Sequence, residues 1–582
     1  MFVFDRCLIL VPTPPPPSLS FSPLQYGPVA YHKQSLANLD AASSATGIPC
    51  AVVVDTLGRE LTVRRVSHLD ANGWPVIPDS VDVAAGTSVT VTPRPDAVLS
   101  PTLLPVTYGG LAEMVAPGDQ LFVGRYLVNG AETSSLYLEV KEVRGADVVC
   151  AALNDATLSG LLTVIHADGG GDGGMSAAQA SLPLFAASDL DAVADIAAAH
   201  AVDFVALTYT MSGEDVVAAR DALDARGLSS AKIIAKVENR SALHAMGDIL
   251  ATADAVILSR GNLGLDVPAP KMAAVQKAAV AAANHAGKPV IITRLVDTMV
   301  TAPRCTRAEA TDVANAVLDG VDAVMLGAET LRGVNPVETV ATVRSIARQA
   351  ELAFDHASHF DTLMLAQTQD ELAAAEAAAV GGDDAAVHQM KKVSSFGSLP
   401  MGVNAAGIPS RLHTGNAPRP AAGGHAGAAL PKVEAMASTA VRAAEKIRAA
   451  AIVVFAYTGR TTSLVAKYRP AMPVLTVVLP SERPGAPAGA DPAASAATLC
   501  RQFLVMRGVT PVVGADGPTD AQLEAAVAEV VARGMGKGGD GIVVVAQHKG
   551  DLVLKIAAVD ASGAGLCRVT AESNGDLVGL AA

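Results

Sequence analysis

Short, uninterrupted apolar runs alternate along the chain with stretches whose apolar residues recur at helical spacing. CAVVVD (50–55), DFVALT (203–208), KIIAKV (232–237), DAVILS (254–259), PVIIT (289–293) and DAVML (322–326) each have the length and β-branched content of a buried strand. Runs of this kind, followed by helices, indicate a parallel sheet covered on both faces. The strand–helix unit recurs from 203 to 350, which predicts an α/β fold of the (β/α)8 barrel type. On pattern alone a doubly wound open sheet competes with it.

Three other textures interrupt that pattern. TSVTVTP, DQLFVGRYL, SLYLEVKEV and DVVCAAL alternate apolar and polar residues, so 59–178 reads as an antiparallel β module inserted after the first barrel strand, closed by DGGGDGG (168–174). Residues 367–432 are rich in Ala, Gly and Pro without sustained periodicity and read as a low-complexity, mostly disordered insertion. A second α/β pattern follows over 433–582: the helix VEAMASTAVRAAEKIRA and the runs AIVVFAYT, PVLTVVLP, FLVMRGVTPVV, GIVVVAQ and LVLKIAAV. Residues 1–30 read as an atypical Pro-rich leader. Its apolar stretch is short and carries Asp5 where a secretory signal would be basic. The barrel is thereby divided into 31–58 and 179–366.

Composition narrows the classes. A formal charge of −14 over 582 residues argues against a nucleic-acid surface. No apolar run has the length of a membrane span. The six cysteines include no CxxC pair, which fits reduced thiols in a cytoplasmic protein better than zinc or a disulfide framework.

The strongest chemical signal is KIIAKVENRSAL (232–243). Side chains alternate along a strand, so Ile234, Lys236 and Glu238 project together and set a cation beside a carboxylate at the strand's C-terminal end. Taken alone, the segment is equally an ordinary Lys–Glu pair. ILSRGNLGLDVP follows the next strand, with Gly261 and Gly264 in a tight turn flanking Asn262. Such a turn lets backbone N–H groups approach an anion and offers an amide oxygen to a metal, or is simply a connection. In 306–333, Thr306 and Glu309 have capping-box spacing, and Ala310, Val313, Ala314, Val317 and Leu318 form one apolar stripe.

AKVEN, SRGNLG, GKPVIITRLVDTM and above all TRAEATDVANAVLDGVDAVMLGAETLRG together resemble the pyruvate kinase family, most closely its plant and green-algal cytosolic branch. Asn262 and Arg294, standing where most members have Asp and Gln, point to that branch, as do AKYRPAMPVLTVVLP and GDQLFVGRYLVNGAETSSLYLEVKEVRGADVVC. The resemblance implies phosphoryl transfer from phosphoenolpyruvate to ADP, giving pyruvate and ATP in glycolysis, with Mg2+ (or Mn2+) and K+ as cofactors and a homotetrameric assembly. It implies that Lys236 stabilises the transferring phosphoryl group, that Glu238 and Asn262 hold the divalent cation, and that Gly261 cradles substrate. Thr293 is implied in proton delivery and substrate contact. Asp55 and Thr56, in a DTxGPE-like segment with Leu57 and Arg59 at the Lys and Pro positions, are implied in the monovalent site. Met211 takes the place of an expected Arg. Thr458, Gly459, Arg460 and Thr461 resemble a sugar-phosphate effector loop, although a plain strand–helix turn is the preferred reading.

One departure is large. Similarity begins at Tyr31–His32, and neither early family segment, CTxGPAS or ARxNFSHG, is recognisable. The barrel is therefore expected to be incomplete at its N-terminus, with two open edges. FVFDRCLILV is available to replace one strand but lacks the needed side chains. Two accounts follow: a truncated form of an active kinase, or a catalytically impaired, pyruvate kinase-like regulatory or structural subunit. Negligible turnover is the expectation for residues 1–582 alone. A third account, another barrel enzyme acting on phosphoenolpyruvate, does not explain the C-terminal domain.

Overall fold

The computed structural model describes residues 7–10, 18–23, 29–64, 80–124, 135–159, 162–167, 182–186, 188–331, 333–379, 432–480, 491–514, 519–548, 551–562 and 565. They fall into two compact units, Met1–Phe354 and Asp355–Ala582.

In the first unit, all six apolar runs are strands: Cys50–Asp55, Phe204–Leu207, Lys232–Val237, Ala255–Leu258, Val290–Thr293 and Ala323–Leu326. They pair in parallel in that order. Helices such as Gly213–Asp224, Ala269–Ala286 and Arg307–Asp319 separate them. A closed ring results, which excludes the open doubly wound sheet.

The ring is closed by two further strands, of which the sequence pointed only to the one within FVFDRCLILV. Ser18–Pro23 runs parallel to Cys50–Asp55, joined to it through the helix Val29–Thr46, and so forms a seventh parallel strand. Cys7–Leu10 then pairs antiparallel with both Ser18–Pro23 and Ala323–Leu326. Part of the expected leader is thus barrel wall, and the two open edges are covered. Burying an edge's N–H and C=O groups in a ladder removes the association hazard of an open ring.

The inserted module is a six-stranded sheet. Its order is Thr163–Ala167, Gln120–Gly124, Ser135–Arg144, Asp147–Ala152, Ser88–Thr92, Leu103–Pro105. Its pairs are antiparallel except Ser88–Thr92 with Leu103–Pro105. Leu121, Val123, Leu136, Leu138, Val148 and Cys150 fill its core, the face set by the alternation in the sequence. The segment DGGGDGG lies outside the described residues.

The second unit carries a five-stranded sheet over Ala451–Ala456, Val474–Val478, Val509–Val513, Gly541–His548 and Asp551–Ala558. Only the last pairing is antiparallel. The run beginning FLVMRG is not strand from its start, because Phe503 ends the helix Pro492–Phe503. Two further expectations need correction. The helix His356–Ala379 reaches into the span read as low-complexity, since its Ala- and Glu-rich composition favours helix without needing a periodic apolar face; 380–431 lie outside the described residues. In the helix Arg307–Asp319 the capping box forms as expected, but Leu318 is exposed and Ala316 is buried in its stead.

Candidate active site

The register of the ring assembles the site. Asp55 pairs with Ala206, Ala206 with Ile234, and Ile234 with Ala255. Two residues further on, Lys236 pairs with Ile257, which pairs with Ile291. By strand alternation, Asp55, Lys236, Glu238 and Thr293 share one face of the ring at the C-terminal ends of three strands.

There Lys236 Nζ lies 3.2 Å from both carboxylate oxygens of Asp55, 3.0 Å from Thr208 Oγ1 and 3.6 Å from Glu238 Oε1. Asn262 Nδ2 donates to Glu238 Oε1 at 2.9 Å, and the N–H of Tyr209 donates to Glu238 Oε2 at 2.7 Å. The Thr208 hydroxyl donates to the Thr56 carbonyl at 2.6 Å, and the Thr56 hydroxyl donates to the Ala206 carbonyl at 3.0 Å. Asp55, Thr56, Lys236, Glu238 and Asn262 are therefore one cluster. Thr293 is buried at the end of its own strand on the same face. Gly261 lies in the first turn of a short helix, Arg260–Asp266, where a tight turn was expected. The space a Cβ would take there is 3.2 Å from the Arg294 side chain.

Charge in this cluster is unbalanced. Burial alone would depress the Lys236 ammonium, but Asp55, Glu238 and Glu60 together hold it above the ordinary lysine range. Burial pushes Asp55 up to about 6 despite Lys236. It likewise pushes Glu60 up to about 7 against Lys236 and a bond from Thr163 Oγ1 at 2.7 Å. Several carboxyl groups share one ammonium, and the protein holds them ionised only at a cost. An arriving cation would relieve it.

The donor set fits such an ion. Two neighbouring oxygens of an octahedral site with bonds of about 2.1 Å lie about 3.0 Å apart. The Asn262 amide terminus is 2.9 Å from Glu238 Oε1, and rotating the amide brings its carbonyl oxygen to the same side.

A second acidic group lies beyond Thr293. Glu329 is fully buried; Gly327 N–H donates to its Oε2, and among the described residues its Oε1 has no hydrogen-bond partner. Burial, reinforced by Asp297, pushes its carboxyl up to about 7. Tyr209 and Arg294, each just past a strand end, have φ of 52° and 59°. Non-glycine residues in this region cost of order 1–3 kcal/mol each and tend to gather at working sites. Thr208, Tyr209, Glu60 and Glu329 were not among the residues expected from sequence.

Thr458, Gly459, Arg460 and Thr461 belong to the other unit, at the start of the helix Arg460–Lys467. Gly459 has φ 91°, and a Cβ there would lie 2.8 Å from the Phe503 ring. A strand–helix turn with a steric need for glycine accounts for the segment.

Comparison with known proteins agrees with the barrel and the second α/β sheet. A model of the pyruvate kinase barrel domain matches residues 19–340, and one of the pyruvate kinase alpha/beta domain matches 434–553. Cytosolic pyruvate kinase 2 of Oryza sativa subsp. japonica is 36% identical over 544 residues, covering 92% of this chain and 88% of the relative. The cytosolic isozyme of Glycine max is 30% identical over 542 residues, covering 92% and 89%. Among solved structures, a pyruvate kinase from Cryptosporidium parvum has the same fold, with TM-score 0.67 over 93% of this chain and 90% of that one at 22% identity. The barrel match starts inside the strand Ser18–Pro23.

Proposed function

The chain belongs to the pyruvate kinase family, and from that membership we propose how its own residues carry out phosphoryl transfer from phosphoenolpyruvate to ADP. In this reaction the bond between phosphorus and the enol oxygen breaks and one to the terminal phosphate oxygen of ADP forms. The enolate left behind takes a proton at its terminal carbon and becomes pyruvate. Charge on the moving group must be neutralised while its partners are held in line.

Lys236 supplies a fixed ammonium for that charge, and Asp55 and Thr208 orient it before substrate arrives. Such preorganised groups are effective because nothing has to reorient as the charge develops. Glu238 and Asn262 would hold Mg2+ or Mn2+, with Tyr209 N–H fixing the second oxygen of Glu238. Asp55 and Thr56 would contribute to a K+ site. When bound, these cations polarise the phosphate oxygens. Thr293 is placed for substrate contact and proton delivery at the end of its strand, and Gly261 for backbone contact with substrate. Asn262 carries no charge, which weakens its hold on a cation relative to a carboxylate. Cytoplasmic location and a homotetramer accord with the names of the plant relatives and with the family. No helix among the described residues is long and apolar enough to cross a membrane.

The observation that carries this reading is the contact of Lys236 with Asp55 and Glu238 at the barrel mouth. Pyruvate formation from phosphoenolpyruvate and ADP, with Mg2+ and K+ present, tests it on the full chain, and turnover there would replace the negligible rate expected of an open ring. Lys236→Met should lower the rate by about 10³-fold, the scale of losing one transition-state partner. A wild-type rate no higher than that of the variant overturns the proposal.

A further inference from the structure

Arg59 lies where the chain leaves the barrel for the inserted module, and its guanidinium makes an unusual set of bonds. It pairs with both oxygens of Asp215, at 2.7 Å and 2.8 Å. Its Nε donates at 2.9 Å to the carbonyl of Leu182, where the chain has returned from the module, and its Nη1 donates at 3.3 Å to the carbonyl of Tyr209. One planar fork thus ties together the outgoing crossing, the returning crossing and the loop after Phe204–Leu207. Lysine, whose three donors sit on one nitrogen, cannot span this pattern.

Two of the three tied segments lead to a carboxylate of the site. Arg59 holds Tyr209 by its carbonyl, one peptide beyond the N–H that Tyr209 donates to Glu238 Oε2 at 2.7 Å. Tyr209 is in the left-handed region, a conformation that needs holding from outside. Asp215, fixed by Arg59, accepts from Met211 N–H at 2.8 Å and closes a capping box with Ser212, so the rest of that loop is pinned as well. Burial opposes the charge of Asp215, but Arg59 and these N–H groups hold its carboxyl below the usual range. On the other side, Arg59 immediately precedes Glu60, which accepts from Thr163 on the module's strand Thr163–Ala167. Behind it, the N–H groups of Leu57 and Gly58 donate to Asp189 at 3.0 Å and 2.8 Å. Gly58 has φ +53°, and a Cβ there would sit 3.1 Å from the carbonyl oxygens of Leu184 and Thr208. The crossing is held from several directions, with Arg59 as the element common to both sides.

We propose that Arg59 is a positioning residue that couples the seating of the inserted β module to Glu238 and Glu60, the carboxylates flanking Lys236. The proposal rests on the reading of the Lys236 cluster as a pyruvate kinase site. Arg59 thereby fixes, from the far side of its Cα, the residue whose N–H orients Glu238.

Hydrogen exchange on the full chain tests this without relying on turnover. Arg59→Met should speed exchange at the Tyr209 and Met211 amides by about 10-fold or more, by loss of a multiply bonded charged anchor. The strand Lys232–Val237 should be unchanged. Asp215→Asn, nearly isosteric, should give a smaller effect in the same amides and serves if Arg59→Met does not fold. A second reading is the Mg2+ concentration for half-maximal thermal stabilisation by phosphoenolpyruvate, expected to rise about 10-fold in Arg59→Met, with Arg59→Lys intermediate. Unchanged exchange at Tyr209 overturns the proposal, as does a lowered Tm with an unmoved Mg2+ requirement. Absence of any Mg2+–phosphoenolpyruvate effect in the wild type counts against the functional reading, and the exchange result still decides this one.

Discussion

Two buried lysines in this chain sit against glutamates, and they differ in everything that matters. Lys467, in the second unit, donates to Glu434 Oε1 at 2.9 Å, and the Tyr468 hydroxyl donates to the same oxygen at 2.6 Å. Although burial works against the charge of Glu434, Tyr468 and Lys467 hold its carboxyl below the usual range. One cation meets one anion, and both are satisfied. Lys236 faces Asp55, Glu238 and Glu60, two of which burial pushes up to about 6 and about 7. A buried ion pair is weak evidence of function; a surplus of carboxyl groups at a strand-end mouth is stronger, because only a further cation completes it.

The sharpest way to break the comparison is to remove each ammonium. Lys467→Met should leave turnover per folded chain unchanged while destabilising by about 3–5 kcal/mol, the cost of stranding a buried partner. Lys236→Met should reverse that order, with activity lost first. Comparable losses of activity in both variants would erase the distinction.

Acid titration gives a smaller effect. The folded-state value of Glu329, about 7, is raised from an ordinary 4.5. Its contribution to stability is therefore fully present below about 4.5 and lost as pH rises through about 7, of order 3 kcal/mol in all. Glu329→Gln should gain stability relative to wild type as pH rises from 5 to 8, seen in paired melting curves. A constant difference across that range would show that Glu329 is ionised throughout.

Asn262→Asp should give the smallest change. Adding a carboxylate beside Glu238 should lower Tm without metal and lower the Mg2+ concentration needed for half-saturation by about 10-fold, or about 1.4 kcal/mol. An unchanged Mg2+ requirement would place the cation elsewhere.

Much of this was legible because it is local. The six central strands announce themselves by continuous apolar runs, and Lys236 and Glu238 by strand alternation next to Asn262. Of the closing hairpin, Cys7–Leu10 was legible as an available strand within FVFDRCLILV, and Ser18–Pro23 was not. Ser18–Pro23, SLSFSP, has no β-branched residue and no continuous apolar run, so no local pattern marks it as a barrel strand. The pairing of Cys7–Leu10 with Ala323–Leu326 spans most of the first unit and leaves no trace in a local pattern. Thr208 and Tyr209 act through a hydroxyl and a peptide N–H, groups that almost any sequence supplies. Glu60 was within reach, since it completes DTLGRE as the glutamate of the DTxGPE-like segment.

The central claim is that the surplus of carboxyl groups around Lys236 exists to complete a cation site. Electron paramagnetic resonance of free Mn2+, titrated into the full chain with phosphoenolpyruvate, tests it most directly. One Mn2+ should bind per wild-type chain, none at the same concentration in Glu238→Gln, and one in Glu434→Gln. Retention of full Mn2+ binding by Glu238→Gln would contradict the account.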